Sequence, residues 1–261
     1  MQYSRFIFIF LAGFIVMAAA WPAKVGGPTI IIAADNWCPI NCAPPERRLG
    51  VGIDLAKAIF EPLGYRIDYR VMPWSQALEQ VRAGRVDAVI GASRFDDATL
   101  VFPQQSVYTI TDNFYVQKGN SWRFQGVHTL KARKLGVIAD YGYGPAITEY
   151  IRNNRQNLQL IQEASGNDAL IENIRKLQSR VIDAIVETRP VMEYTIAKMG
   201  LEDRIEWAGS SPQAPVYLAF SPALPASRGL AAQFDAGMRK LVASGAIDGF
   251  YRAYGLSASD R

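Results

Sequence analysis

The sequence predicts an α/β fold of two similar lobes, and three observations support this prediction. Short apolar strands alternate with amphipathic helices, which is typical of a parallel α/β sheet. The pattern occurs twice, because residues 78–91 (LEQVRAGRVDAVIG) and 171–187 (IENIRKLQSRVIDAIVE) both place an amphipathic helix before an Asp-Ala strand. The chain has 261 residues, 49% hydrophobic and 20% charged, which is ordinary for one large or two modest globular domains.

In the first half, the predicted elements follow one another regularly. Strands are predicted at residues 29–33, 65–71 and 86–92, and helices at 54–63 and 75–83. The helices carry apolar residues at three- and four-residue spacing and end at Gly64 and Gly84. Ser75 has the side chain of an N-cap residue.

The second half repeats this order. Strands are predicted at residues 134–139, 158–163 and 182–187, with helices at 145–151 and 168–178 and a further helix beginning at Pro190. The tail is predicted to contain a strand at 214–220 and helices at 233–243 and 247–254. Crossovers between the two halves are predicted at 112–119 and 210–215.

The N-terminus has the three regions of a secretory signal peptide. Arg5 is followed by an apolar run of eleven residues from Phe6 to Val16, and then by the small-residue cleavage pattern ending at Ala20. Such a run is short for the ~30 Å of hydrocarbon in a membrane, and an uncleaved anchor is the alternative. We therefore expect residues 1–20 to be removed and the mature protein to be exported to the periplasm.

Few residues of this chain can carry metal or nucleophilic chemistry. With two cysteines and one histidine, His128, the chain lacks the roughly four ligands of a usual zinc site. A Ser-His-Asp triad would have to use His128. The net charge of +4 does not indicate nucleic-acid binding, so neither a metal, a cofactor nor a nucleic acid is expected. In an exported protein, Cys38 and Cys42 are expected to form a local disulfide, with two free thiols as the alternative.

The sequence resembles a known family through five segments, GVGIDLAKAIFEPLGY, PWSQALEQVRAGRVDAVIG, KARKLGVIADYG, RVIDAIVE and ASGAIDGFYRAYG. In this order they resemble the bacterial extracellular solute-binding proteins of family 3, the periplasmic receptors of polar amino-acid transporters. The resemblance covers about residues 28–256. It implies a two-lobed type II periplasmic binding protein with two hinge crossovers, lobe 1 comprising residues 21–113 and 214–261 and lobe 2 residues 114–213. It also implies a monomer that closes on a small-molecule ligand and docks on the membrane permease of an ABC importer.

In lobe 1, the resemblance implies a ligand site after the strands. Trp37 and Trp74 match aromatic positions that stack on a ligand and would form a cation-tolerant clamp, with packing in the core as the alternative for each. Asp35 is a candidate acceptor for a ligand ammonium, or else a cap of the cysteine loop. The rim after the first Asp-Ala strand matches positions that offer backbone groups and a hydroxyl to a ligand carboxylate, here Gly91, Ala92, Ser93 and Arg94.

The sequence departs from the family's carboxylate-binding pattern. Relatives carry a Thr-x-x-Arg pattern after this rim, and its arginine forms bidentate hydrogen bonds with the ligand carboxylate. Here the matching position holds Thr99 or, in the alternative alignment, Asp96. Arg94 is the candidate substitute, and the alternative for it is a surface ion pair with Asp96 or Asp97.

Lobe 2 supplies the remaining candidate residues. The turn with Tyr141, Gly142 and Tyr143 precedes a helix, whose N-terminus favours an anion. Relatives bind the ligand α-ammonium with an Asp at the position of Thr188, so Glu187 is expected to bind it from one residue earlier. Both anchors for an α-amino acid are thus displaced, and the expected ligand is an amino acid, an amine or another small polar solute.

Three functions follow from the sequence as hypotheses. The first is a non-enzymatic binding protein that serves an ABC importer. The second is a sensor subunit that docks on a membrane signalling protein. The third is a dehydratase of prephenate-like acids, for which Glu187 is the one obvious general acid and no nucleophile-elbow pattern is present.

Overall fold

The computed structural model describes residues 27–257, which contain eight strands in one curled sheet with helices packed on it. The strands are β1 (Thr29–Ala34), β2 (Arg66–Val71), β3 (Ala88–Ala92), β4 (Tyr108–Gln117), β5 (Leu135–Ile138), β6 (Ile161–Ala164), β7 (Ala184–Thr188) and β8 (Ile205–Phe220). The helices are α1 (Val51–Phe60), α2 (Trp74–Arg82), α3 (Pro145–Asn154), α4 (Ala169–Gln178), α5 (Arg189–Met199), α6 (Ser227–Ala243) and α7 (Ile247–Arg252). The signal peptide predicted at residues 1–20 lies outside the described residues. Within them, no helix is long and apolar enough to cross a membrane.

Two long strands join the halves of the sheet. In the strand order β2-β1-β3-β8-β4-β7-β5-β6, β8 and β4 stand in the middle. They pair antiparallel from Tyr108 opposite Val216 to Gln117 opposite Ile205, with register shifts along the way. The chain therefore crosses between the halves inside continuous strands, and the predicted two-lobed α/β fold is confirmed.

The repeated Asp-Ala segments have the same structural role in each half. The strands β1 and β5 each pair in parallel with two neighbours, β2 and β3 or β6 and β7. Asp87, just before β3, accepts a hydrogen bond from the Ile31 N–H at 2.8 Å. Asp183, just before β7, accepts one from the Lys134 N–H at 2.8 Å. In both halves, a carboxylate thus fastens the start of one parallel strand to its neighbour.

Element boundaries differ from the sequence prediction in a few places. Ser75 is not an N-cap, because α2 already begins at Trp74 with Pro73 at the cap position. The strand predicted at 214–220 extends back to Ile205, since the added residues pair with β4 although many of them are half-exposed or exposed. Because buried and exposed residues are mixed in this segment, the sequence has no continuous apolar run that would predict a strand here.

The predicted disulfide between Cys38 and Cys42 is present in the loop after β1. Within this loop the Trp37 N–H donates to the Asn41 carbonyl at 2.8 Å, and Asn41 Nδ2 donates to the Asp35 carbonyl at 2.9 Å. The alternative of two free thiols is therefore wrong in this structure. The loop is held in a shape that fixes the positions of Asp35 and Trp37.

The core of the first half centres on Phe60 at the end of α1, which is fully buried. Its ring meets Tyr65 and Phe220 edge-on and stacks on Phe234. Truncating such a side chain removes apolar contacts and leaves a cavity.

We expect Phe60→Ala to lower the free energy of unfolding by about 3–5 kcal/mol, because the surrounding rings cannot collapse fully into the space. Phe95→Ala is the matched control, since Phe95 is 42% exposed and its loss should change stability by about 0.5 kcal/mol or less. Urea denaturation followed by tryptophan fluorescence measures both values. Equal losses in the two variants would contradict this account of the core.

Candidate functional site

A pocket lies between the two halves of the molecule, at the carboxyl ends of the parallel strands. Open α/β sheets bind ligands at this edge. Its polar lining comes chiefly from four carboxyl groups, Asp35, Asp96, Asp112 and Glu187. Its aromatic lining consists of Trp37, Trp74, Tyr141 and Tyr143.

The pocket is tightly closed. Its cavity volume is about 30 Å³, room for about two water molecules and far below the roughly 300–1,000 Å³ of small-molecule sites. A ligand therefore enters only when the two halves separate.

The structure brings ten of the twelve sequence-predicted ligand residues together in this pocket. They come from the loop after β1, the start of α2, the end of β3 with the residue after it, the turn after β5 and the end of β7. These ten are Asp35, Trp37, Trp74, Gly91, Ser93, Tyr141, Gly142, Tyr143, Glu187 and Thr188. The other two, Ala92 and Arg94, lie elsewhere.

Arg94, the predicted partner of a ligand carboxylate, does not line this pocket. Its guanidinium carbon lies 4.5 Å from the centroid of the Phe102 ring and 5.7 Å from that of Tyr217, on the outside of the molecule. The alternative ion pair is absent too, because Asp97 pairs with Arg82. Stacking on two rings explains why the side chain turns outward. Ala92 is packed in the hydrophobic core and does not line the pocket.

Five lining residues were not predicted as ligand residues, and two of them, Asp96 and Asp112, carry carboxyl groups. Asp96 stands at one of the two positions that align with the family's arginine, which is the one signal the sequence offered for it. Asp112 is a buried acid in the hinge strand β4, inside a segment that the sequence shows as a crossover. Its Oδ2 accepts hydrogen bonds from the Gly144 N–H at 2.8 Å and from Ser211 Oγ at 3.2 Å.

Several hydrogen bonds cross the pocket from one half to the other. Tyr141 OH donates to Asp35, and Trp37 Nε1 donates to Glu187 Oε1 at 2.8 Å. The Gly142 N–H donates to Asp96 Oδ1 at 2.8 Å. These bonds hold the two halves in the closed arrangement.

For Trp37 and Trp74 the sequence allowed two interpretations, packing in the core or a place facing the ligand. In the structure both are packed in the core and also line the pocket. Trp37 and Trp74 are 6% and 5% exposed, so they are packed like core residues, yet both line the pocket. Each indole donates to a pocket carboxylate, Trp37 to Glu187 and Trp74 to Asp96. Trp74 also meets Tyr141 edge-on, with ring centroids 6.2 Å apart. The rings therefore form a wall whose faces suit a cation.

Glu187 is buried with one oxygen unsatisfied. Its Oε1 accepts from Trp37 and from the Thr188 N–H at 2.6 Å, whereas its Oε2 has no hydrogen-bond partner in the part of the chain that the structure describes. A buried polar atom without a partner is costly. The free oxygen is thus available to a hydrogen-bond donor in the pocket.

Burial raises the pKa of the pocket carboxyl groups. The pKa of Asp35 rises to about 6 and that of Glu187 to about 8 because desolvation penalises their charged forms. Hydrogen bonds from Tyr141 to Asp35 and from Trp37 to Glu187 oppose these shifts only in part. Desolvation also raises the pKa of Asp96 and of Asp112.

The model of the bacterial extracellular solute-binding proteins, family 3, matches residues 30–257. The chain belongs to this family. Its members are solute-binding proteins rather than enzymes, and membership implies a small-molecule ligand and an extracytoplasmic location.

Solved structures share the fold of this solute-binding protein. An ancestral arginine-binding protein bound to arginine is 18% identical, with a TM-score of 0.71 over 88% of this chain and 99% of that one. A histidine kinase sensor domain with similarity to periplasmic binding proteins is 17% identical, with a TM-score of 0.73 over 88% and 96%. A putative L-cystine ABC transporter protein from Listeria monocytogenes is 17% identical, with a TM-score of 0.72 over 90% and 100%. Comparison with curated proteins returns no match.

We expect Glu187→Gln to flatten the pH dependence of thermal stability. At pH values between 4.5, its ordinary pKa, and about 8, Glu187 keeps a proton in the folded protein that it loses in the unfolded chain. The free energy of unfolding therefore falls as the pH rises through this window. Glutamine keeps an acceptor for Trp37 and cannot ionise, so less of this fall remains.

Melting temperatures at about pH 5.5 and about pH 8.5 test this expectation. Glu149→Gln, at an exposed position of α3, is the control and should keep the wild-type slope. A Glu187→Gln slope as steep as that of the control would show that the folded protein does not hold this proton.

Proposed function

We propose that this chain is a periplasmic binding protein that captures a small polar solute, an amino acid or a related compound, for the permease of an ABC importer. The observation that supports this most is the closed pocket between the two halves, with hydrogen bonds reaching across it from both sides. The proposal includes export by a signal peptide cleaved after Ala20. It also includes a monomer with lobe 1 at residues 21–113 and 214–261 and lobe 2 at 114–213.

Closure is the step that connects binding to delivery. A ligand that touches both lobes only when they are shut stabilises the closed form at the expense of the open one. The strands β4 and β8 are the only connections in the described sheet that run from one half to the other, so they carry the hinge motion. A membrane partner would then recognise the closed form.

A sensor subunit is the second candidate function. The shared fold of the histidine kinase sensor domain supports keeping it, because that fold also serves signalling. Both functions use the closed form. Ligand-dependent capture of a permease component from the membrane fraction would favour transport, and capture of a signalling protein would favour sensing.

A thermal-shift panel of amino acids, amines and small acids tests whether the chain binds a solute. A ligand at about 100 times its Kd should stabilise the protein by ~2.7 kcal/mol and raise its melting temperature. Mass spectrometry of the denatured protein identifies any molecule that co-purifies. No shift with any compound, together with turnover such as loss of prephenate absorbance, would replace the binding proposal with an enzymatic one.

Gly142 provides a steric test of closure. A Cβ built on Gly142 would stand 2.4 Å from the Asp96 backbone nitrogen across the pocket, a distance that real Cβ atoms do not show. A Cβ at Gly144, two residues along the same turn, would come no closer than 3.5 Å to Asp112 Oδ2. Only the first substitution should keep the lobes from shutting.

We expect Gly142→Ala to weaken binding of the best panel ligand by about tenfold or more, since overpacking costs roughly 1–3 kcal/mol. Gly144→Ala should bind within about twofold of wild type. Isothermal titration measures the affinities, and small-angle scattering of the liganded proteins measures compaction. Wild-type affinity and compaction in Gly142→Ala would show that the lobes do not close as described.

A further inference from the structure

We propose that the ligand of this pocket is a small organic cation that carries N–H donors and no carboxylate, such as an amine or a guanidine. In this view Asp96 fills, from within the protein, the place where a ligand carboxylate would bind. The inference rests on the proposed function and specifies its substrate class.

Asp96 occupies the anion-binding groups of both lobes. Its Oδ2 accepts from the Ser93 N–H at 2.7 Å and from Ser93 Oγ at 2.6 Å, at the rim after β3. Its Oδ1 accepts from Trp74 Nε1 at 2.9 Å and from the Gly142 N–H, in the turn before α3, at 2.8 Å. Backbone N–H groups at a strand end and before a helix, together with a hydroxyl, are the donors that suit a carboxylate. A carboxylate of the protein already satisfies them.

Asp112 accepts a hydrogen bond from a further backbone N–H group beside the pocket. The N–H of Gly144, which caps the N-terminus of α3, donates to Asp112 Oδ2. The positive end of this helix is therefore already matched by an acidic side chain. An incoming anion would find the donors near α3 occupied.

The charge of the lining favours a cation. Four carboxyl groups line the pocket, and no lysine, arginine or histidine is among its lining residues. A ligand carboxylate would lose its hydration here and face four acids with no cation to compensate. A ligand cation would gain these acids as partners and the faces of the aromatic wall.

Glu187 distinguishes among cations. Its Oε2 is buried, lines the pocket and lacks a partner among the described residues. An ammonium or guanidinium N–H would satisfy this oxygen, whereas a quaternary ammonium has no hydrogen to donate. The pocket therefore favours a cation with N–H groups.

Pairs of compounds that differ only by a carboxylate test the proposal directly. Putrescine with ornithine, agmatine with arginine, and histamine with histidine are compared by thermal shift and isothermal titration. The buffer is phosphate at about pH 8, because Tris is itself an amine and because the pocket acids ionise as the pH rises. We expect at least one amine to bind about a hundredfold more tightly than its parent amino acid.

Substitution of Asp96 should reverse this preference. Asp96→Ala vacates the anion-binding donors, so the amine-to-amino-acid affinity ratio should fall by tenfold or more. Asp97→Ala changes the neighbouring acid, which pairs with Arg82 and lies outside the pocket lining, and should keep the wild-type ratio. If Asp96→Ala does not fold, Asp96→Asn removes the charge with little change in volume and should lower the ratio in the same direction.

The outcomes separate this inference from the proposed function. Tighter binding of an amino acid than of its amine by the wild-type protein overturns the cation inference and leaves a solute-binding function in place. An unchanged ratio in the folded Asp96 variants overturns the role of Asp96. No binding of any compound, in these pairs or in the wider panel, overturns the proposed function and the inference together.

Discussion

The burial of four carboxyl groups between two halves of one molecule is the constraint on which the rest of this structure depends. Each acid loses hydration when the halves close, and desolvation raises the pKa of all four. Hydrogen-bond donors compensate three of them, Tyr141 and Gly142 from the opposite half and Gly144 from the turn before α3. Glu187 is compensated at one oxygen alone. The closed form is therefore stabilised by whatever supplies positive charge or protons to this pocket.

The fold brings these carboxyl groups together because the strand ends of the two halves lie opposite one another. In each half, an aspartate fastens the parallel strands at their start, so their carboxyl ends lie at one edge. The disulfide loop then holds Asp35 and Trp37 at that edge. The strands β4 and β8 connect the two halves.

The chain belongs to a solute-binding family but departs from that family's carboxylate-binding pattern. The fold is that of the family. The acid at Asp96 occupies donors that suit a ligand carboxylate, while Arg94 stacks on rings at the surface. In the alignment that places Asp96 at the family's arginine position, an acid stands where relatives carry a carboxylate-binding side chain, which changes the charge of the pocket lining and leaves the fold intact.

Much of the candidate site could be predicted because strand ends are visible in a sequence. Apolar runs bounded by turn residues located β1, β3, β5 and β7, and the residues after such strands meet at one edge of a sheet. The family's motifs then singled out pocket residues such as Trp37 and Trp74. The hinge strands were less visible, because their mixed exposure breaks the apolar pattern.

The sequence by itself determined the α/β class, the doubled architecture and the loop disulfide, since each follows from local pattern and spacing. Only the tertiary structure decided the direction of Arg94 and the roles of Asp96 and Asp112. A side chain turns toward its best partner, and these partners lie far along the chain, as Gly142 does from Asp96 and Gly144 from Asp112. The first pair meets only when the two halves close on each other, and the second only when β4 pairs with β7, so no local pattern records them.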